Sequence, residues 1–351
     1  MEKKLPKIKI IEDKKIWNKN LNFFSFYDFY HTYDYHHIAK LENEKPILLK
    51  YKEGETLIVI PFLLRKIFNT DYYDLTSVYG YSGPLFKNID YNFCINNFET
   101  QLNSFCEENK FVSIFSRLHP FIENQTKVLG NIGEVIPLGK VVNVDLTKNL
   151  EEQRAYFSKT TKRYLNKTSK LCIVNKTVTN DNLEVFKDLY YENMDRVNAA
   201  QSYYFSSDYF SQFVNSTDFE TEILFAQLKE TNEVISAAMM IKTNNIIQYH
   251  ISGTRDNYLN LTPIRLLIDT MRVIGTEEGY QFFNLGGGLG SSEDSLFKFK
   301  ASFSKDFKTF KIWKHIVNQK VYKLLADRFS ESDLNQDFFP LYRNNFDLLK
   351  T

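Results

Sequence analysis

The stretch Gln281–Phe303, QFFNLGGGLGSSEDSLFKFKASF, decides how the chain is read. Gln281–Leu285 has the character of a short strand, and the glycines at 286, 287, 288 and 290 end it. A dinucleotide fingerprint needs G-x-G-x-x-G opening a helix within a βαβ unit, with an acid about 20 residues on. A P-loop needs Gly-Lys-Ser/Thr, and neither pattern is present. The glycines therefore read as a turn, or as backbone without Cβ atoms that a substrate can approach closely. The second half interleaves lysines with rings. As a strand, it puts Lys298 and Lys300 on one face and Phe297 and Phe299 on the other; as a helix, it stacks Phe299 and Phe303 at i,i+4. Either way a lysine is anchored between rings, where partial desolvation strengthens its pull on an anion.

Working outward, Thr262-Pro263 reads as a helix start, with Thr as cap and Pro at the first helical position. Ile264, Leu267, Ile268, Met271 and Ile274 form its apolar stripe. Glu222–Leu228, Glu233–Lys242 and Asn245–Ser252 read as strands, and Asp181–Asn198 as a helix. Before them, Gln153–Asn180 contains no acidic residue but seven basic ones, a composition shift that marks a boundary. Lys159, Lys162, Arg163, Lys167 and Lys170 fall on one helical stripe. Most such stripes are solvated faces; the alternative here is a phosphate-binding face, because ammonium and guanidinium groups match phosphate oxygens. In the first half, Ile47–Tyr51 and Thr56–Leu64 are strands about a turn with Gly54, and Ser77–Leu85 is a punctuated loop. Tyr91–Lys110 is helical, Phe111–Phe115 and Val141–Leu146 are strands, and the chain from Val317 on is helical. The expected organisation is α/β, with a first domain over 1–148, a second over 149–330 and a C-terminal tail over 331–351.

The bulk properties agree. At roughly 150 residues per domain, 351 residues suggest two domains. Lys+Arg 44 against Asp+Glu 43 excludes a wholly basic nucleic-acid binder and an acidic tail protein. An aromatic content of 16% supplies rings for both a core and a pocket wall. No run approaches the roughly 20 apolar residues of a spanning helix, and the charged N-terminus lacks a signal-peptide core, so a cytoplasmic protein is expected. Cys94, Cys106 and Cys172 form no C-x-x-C pair, and His31, His36 and His37 lack the spacing of a metal site, so no metal is expected. With no G-x-S-x-G elbow and no activated cysteine, covalent nucleophilic catalysis has no support.

Six segments in order carry a family resemblance: SVYGYSGPL at Ser77–Leu85, SRLHP at Ser116–Pro120, SKTTKRYLNKTSK at Ser158–Lys170, YHISGT at Tyr249–Thr254, LTPIRLL at Leu261–Leu267, and FFNLGGG…DSLFKFKASF over Phe282–Phe303. From about Tyr51 to Leu325 the chain resembles the FemABX-like peptidyl and acyl transferases of the GNAT superfamily. The resemblance implies two tandem GNAT-like (acyl-CoA N-acyltransferase-like) domains, mixed sheets flanked by helices. It also implies amide formation: an amine on a cell-envelope precursor, peptidoglycan or surface-polysaccharide amino sugar, attacks an activated acyl or aminoacyl ester. Lys300 matches the lysine of the FK-x-x-F motif that stabilises the oxyanion. Asp294 is expected beside it as the catalytic carboxylate that orients a lysine or the incoming amine, and Lys298, two residues away, is expected to contact substrate. Lys162 or Arg163 matches an arginine that holds the precursor's phosphates. The first-domain lysine of the same role has no counterpart; His36 and His37 stand in that region. Tyr79, Tyr81, Arg117 and His119, from loops of the first half, are expected to face the substrate cleft.

The chain departs from the acetyl-CoA-binding pattern, since Thr254–Thr262 reads TRDNYLNLT in place of Q/R-x-x-G-x-G/A. No permanently bound cofactor is expected. The donor is a co-substrate: an aminoacyl-tRNA, an acyl-CoA or an acyl carrier protein. The expected partners are a nucleotide- or lipid-linked sugar or peptide precursor and transiently a charged tRNA or acyl carrier protein, with no stable nucleic-acid complex and at most peripheral membrane contact. The alternatives to aminoacyl transfer are acylation of an amino sugar from acyl-CoA or acyl carrier protein, and a non-catalytic binding protein of the same fold.

Overall fold

Apolar runs rich in β-branched and aromatic residues become strands, and striped segments become helices, along a chain that divides into two compact units. The computed structural model describes residues 8–89, 93–176, 180–327 and 338–344. Unit 1 comprises the chain up to Leu138 together with the part from Phe310 on; unit 2 is Gly139–Thr309. In chain order the elements are β1 (Lys9–Ile11), α1 (Lys14–Leu21), α2 (Tyr33–Ala39), β2 (Glu44–Glu53), β3 (Thr56–Lys66), β4 (Tyr73–Thr76), β5 (Leu85–Lys87), α3 (Ile95–Glu108), β6 (Phe111–Arg117), α4 (Gln125–Leu129) and β7 (Glu134–Asp145), which leads into unit 2. There follow α5 (Leu150–Ala155), α6 (Lys159–Leu171), β8 (Cys172–Asn175), α7 (Asn180–Arg196), α8 (Ser207–Val214), β9 (Glu220–Leu228), β10 (Val234–Thr243), β11 (Ile246–Thr254), α9 (Ile264–Glu277), β12 (Phe282–Gly286) and α10 (Ser295–Lys300). Strand β13 (Asp306–Ile316) returns to unit 1, where α11 (Gln319–Ala326) and a 3-10 turn at Leu341–Arg343 follow.

The sheet of unit 1 has the order β1-β2-β3-β4-β6-β13, with β5 also on β3. The β2–β3 hairpin turns at Gly54, whose φ of 56° suits a residue without a side chain. From β4 the chain crosses through α3 to β6, which pairs parallel to β4. Phe98, Leu102 and Cys106 of α3 pack with Ile47, Phe62 and Trp313 into one core.

Unit 2 repeats the plan. Strands β9, β10 and β11 form an antiparallel meander, α9 crosses over, and β12 pairs parallel to β11. Almost the whole of β10 is buried, as befits a central strand covered on both faces. Leu267, Ile268 and Met271 of the expected α9 stripe are buried against Val144, Ile247 and Phe283. The start of α9 differs from expectation. Thr262 is left-handed (φ 49°) and its side chain makes no cap bond, while Pro263 occupies the capping position.

The domain bounds also differ from the expected ones. Residues 139–148 belong to unit 2, and 310–330, expected in the second domain, contribute β13 and α11 to unit 1. The physical reason is strand pairing: β13 pairs with β6 in the register Ile312↔Arg117 to Ile316↔Ser113, and α11 packs beside it. The described part of the expected tail, 338–344, is docked rather than free. There Tyr342 hydrogen-bonds Ser113 Oγ at 2.7 Å, and Arg343 reaches the buried Asp74. The helix expected over Tyr91–Lys110 spans Ile95–Glu108 within the described residues.

Candidate functional site

The stretch after the glycine turn is a helix. Asp294 caps α10, its Oδ1 accepting the Phe297 N–H at 2.9 Å and its Oδ2 the Leu289 N–H at 3.2 Å. The Phe297 N–H holds the Asp294 pKa below the ordinary carboxylate value. Helical phasing buries Phe297 and Lys300 and leaves Lys298 exposed. Lys300 is only 8% exposed, and its Nζ donates to the Gly287 carbonyl at 2.7 Å and lies 5.9 Å from the centre of the Tyr249 ring. Among the described residues no carboxylate lies within ion-pair distance of it. Burial pulls its pKa down to about 8, with the Asp294 charge acting in the opposite direction. An ammonium has three donors, so two remain for another oxygen.

The glycines make room for this lysine. A Cβ on Gly286, whose φ is 78°, would stand 3.2 Å from Lys300 Nζ, and one on Gly288 would stand 2.3 Å from Asp294 Oδ1. Asn284 fixes the turn from below, its Oδ1 accepting the Gly286 N–H at 2.9 Å and its Nδ2 donating to Gln248 Oε1 at 2.8 Å. Sequence reasoning did not single out Asn284 or Tyr249. A polar residue within an apolar strand was the available signal for the first.

The basic stripe lies on α6, whose opposite face buries Thr161, Leu165 and Thr168. Lys159, Arg163, Lys167 and Lys170 are exposed and Lys162 is half-buried, donating to the Ala155 carbonyl at 3.3 Å. Arg163 lies over Tyr164, 5.2 Å from the ring centre. The N-terminus of α6 is tied to the end of the Lys300 helix: the Ser158 N–H donates to Ser302 O at 2.9 Å, and Phe157 meets Phe303 edge-on. Unit 2 thus brings Lys162, Arg163, Asp294, Lys298 and Lys300 into one framework.

Tyr79, Tyr81 and Arg117 come together in unit 1. Tyr79 is 70% exposed, with the Arg117 guanidinium 5.7 Å from its ring centre and its carbonyl held by the Tyr35 hydroxyl. Tyr81 lies against Tyr30 and Phe310. His119 is not open to a substrate. Its side chain is fully buried, Nε2 lies 2.9 Å from Asp28 Oδ2, and Nδ1 accepts the Phe121 N–H at 3.2 Å. The reason is the packing of its loop on the segment of Asp28. His36, in the region where a phosphate-binding lysine was sought, is buried too; burial lowers its pKa to about 4, so the ring is neutral near pH 7.

No protein-family model matches the sequence, and no match is found among curated proteins. Solved structures do match. FemX is similar with a TM-score of 0.69 over 90% of this chain and 99% of its own, at 14% identity. A conserved protein of unknown function from Bacteroides thetaiotaomicron is similar with a TM-score of 0.55, 8% identity and coverage of 88% and 99%. The C-terminal domain of a candidate lysylphosphatidylglycerol synthetase from Agrobacterium fabrum follows at 0.53 and 13%, covering 88% and 94%. At these identities the likeness establishes the fold alone: an α/β fold similar to that of FemX. Among the described residues no helix is long and apolar enough to cross a membrane.

Proposed function

We propose that the protein transfers an acyl or aminoacyl group from an activated ester or thioester to a primary amine of a cell-envelope precursor. The observation that carries this reading is Lys300: a buried ammonium with no carboxylate partner among the described residues and two donors to spare. Attack of the amine nitrogen on the acyl carbon forms the C–N bond and pushes the carbonyl electrons onto oxygen. The Lys300 ammonium meets that developing charge in a site of low dielectric, where it stabilises the transition state more than the substrate. The intermediate collapses by breaking the bond to the donor oxygen or sulfur, and the amine's proton leaves with the departing group. Lys300 keeps its own proton throughout. Asp294, locked as the cap of α10, holds the helix and supports the ammonium form at a distance. The FemX fold supports the same reaction class, and the cations of α6 suit a phosphate-bearing acceptor.

The test is transfer of a labelled acyl group to an amino-sugar or muramyl-peptide precursor, with aminoacyl-tRNA, acyl-CoA and acyl carrier protein offered separately. A protein that transfers from none of the three to any amine overturns the reading. Two further outcomes are expected. Because the charged form of Lys300 is the active one and its pKa is about 8, kcat falls tenfold per pH unit above that value, and Lys300→Arg moves the falling limb upward. The double variant Lys162→Glu, Arg163→Glu raises the acceptor's KM and leaves the melting temperature nearly unchanged; an unchanged KM returns α6 to a solvated face.

A further inference from the structure

Arg265, the second residue of α9, carries a charge that nothing described in the protein answers. Its Nη1 donates to Thr161 Oγ1 at 2.7 Å and to Ser302 Oγ at 2.8 Å, and its guanidinium lies 4.6 Å from the centre of the Phe299 ring. Among the described residues Nε is buried with no partner, and no hydrogen bond uses Nη2, which is not buried. Asp269, one turn further on, pairs with Arg154 and Arg272 instead. The group is half-buried, and an unpaired buried charge costs free energy unless an opposite charge arrives.

The unused atoms matter. Nη2 carries two N–H donors, neither spent on the protein, and charge-assisted donors of this kind bind the oxygens of an anion. The arginine is also not needed to satisfy the hydroxyls it touches. Ser158 Oγ donates to Thr161 Oγ1, Thr161 Oγ1 to Ser302 Oγ, and Ser302 Oγ to the Phe299 carbonyl, a chain complete by itself. A second unneutralised guanidinium shares the same wall: Arg163 lies 5.2 Å and Arg265 6.0 Å from the centre of the Tyr164 ring. With no acid between Gln153 and Asn180, this excess of positive charge favours a dianion over a monoanion.

We infer that Arg265 binds a phosphate group through its unburied Nη2 end, with Arg163 as the second cation. Phe299 and Ser302, which hold Arg265, flank Lys300 in the chain, so the phosphate belongs to a substrate whose reacting end lies at Lys300. This deepens the reading of α6 as a phosphate-binding face and rests on it through Arg163.

Isothermal titration of inorganic pyrophosphate, orthophosphate and acetate into the full chain at low salt tests it, with melting temperature as a second readout. The wild type is expected to bind pyrophosphate or orthophosphate and gain melting temperature, and to bind acetate at least tenfold more weakly. Arg265→Met is expected to lose at least tenfold in phosphate affinity while its anion-free melting temperature holds, because the hydroxyl chain survives. Arg265→Lys, which keeps the charge without the fork, falls between. Wild-type failure to bind phosphate, equal affinity for acetate, or unaltered phosphate affinity in Arg265→Met overturns the inference. So does a lower anion-free melting temperature in both variants with phosphate affinity preserved, the mark of a purely structural latch. If Arg265→Met keeps its phosphate affinity while the α6 double variant raises the acceptor's KM, the inference falls and the transfer reading stands. If phosphate affinity depends on Arg265 but no transfer is found, the site stands without the reaction.

Discussion

Lys300→Met lowers kcat by about 10²–10³-fold and moves KM little, the loss typical of removing one oxyanion-stabilising donor, about 3–4 kcal/mol. Methionine keeps most of the lysine stem beside Tyr249 and deletes only the charge, so the fold survives. The variant also sheds the desolvation cost that lowers the lysine's pKa, so its melting temperature is not expected to drop. Lys298→Met is the control: on the exposed side of the same helix, it leaves kcat near the wild-type value. Steady-state kinetics of both variants decides the assignment. A near-normal kcat in Lys300→Met, or a large loss in Lys298→Met, removes Lys300 from the chemistry.

Asp74→Ala destabilises the protein by about 3 kcal/mol, the low end of the cost of breaking a buried ion pair, because the two arginines left without their partner are part-buried. The Asp74 carboxylate is 1% exposed and binds two arginines, Arg65 Nε at 2.7 Å through Oδ1 and Arg343 Nε at 2.6 Å through Oδ2. Arg343 also donates to the Lys66 carbonyl at 3.0 Å, so the carboxylate fastens the segment 338–344 to β3 and β4. Denaturant titration of the variant reads the effect as a lowered midpoint. A midpoint within experimental error of the wild type would mean that both arginines hydrate freely without Asp74. Since unit 1 and unit 2 each have a core, the unfolding is best followed by a probe in unit 1, such as the buried Trp313.

Much of the candidate site was legible because its signals are local. The absence of acids over Gln153–Asn180 marked α6, and the alternation of lysine and phenylalanine marked α10. The chain itself did not discriminate between a strand and a helix over Asp294–Phe303, since a short apolar run satisfies either period. The Asp294 cap decides for the helix, and with it which lysine is buried. Arg265 was passed over because a charged residue beside an apolar stripe reads as the solvent face. Its contacts with Thr161 and Ser302 span 104 and 37 residues of chain, beyond any local pattern. His119 was misjudged for the same reason, its partner Asp28 lying 91 residues away.

By itself the sequence determined the class α/β, the strands and helices with strong periodicity, and the lysine-bearing helix as the place of interest. Those follow from hydrophobic spacing and capping, which act over one or two turns of chain. Tertiary structure alone decided that β13 completes the sheet of unit 1 and that β7 lies beside β12 in unit 2. The resemblance implied two like domains, and the tertiary structure supplied the plan they share, a meander followed by a helical crossover to a parallel strand. Strand partners are chosen by the packing and hydrogen bonding of whole faces, and a strand's own pattern states that it has a buried face without stating what covers it. The burial of Lys300 beneath the glycine turn was settled in the same way, because desolvation is a property of the surroundings and not of the residue.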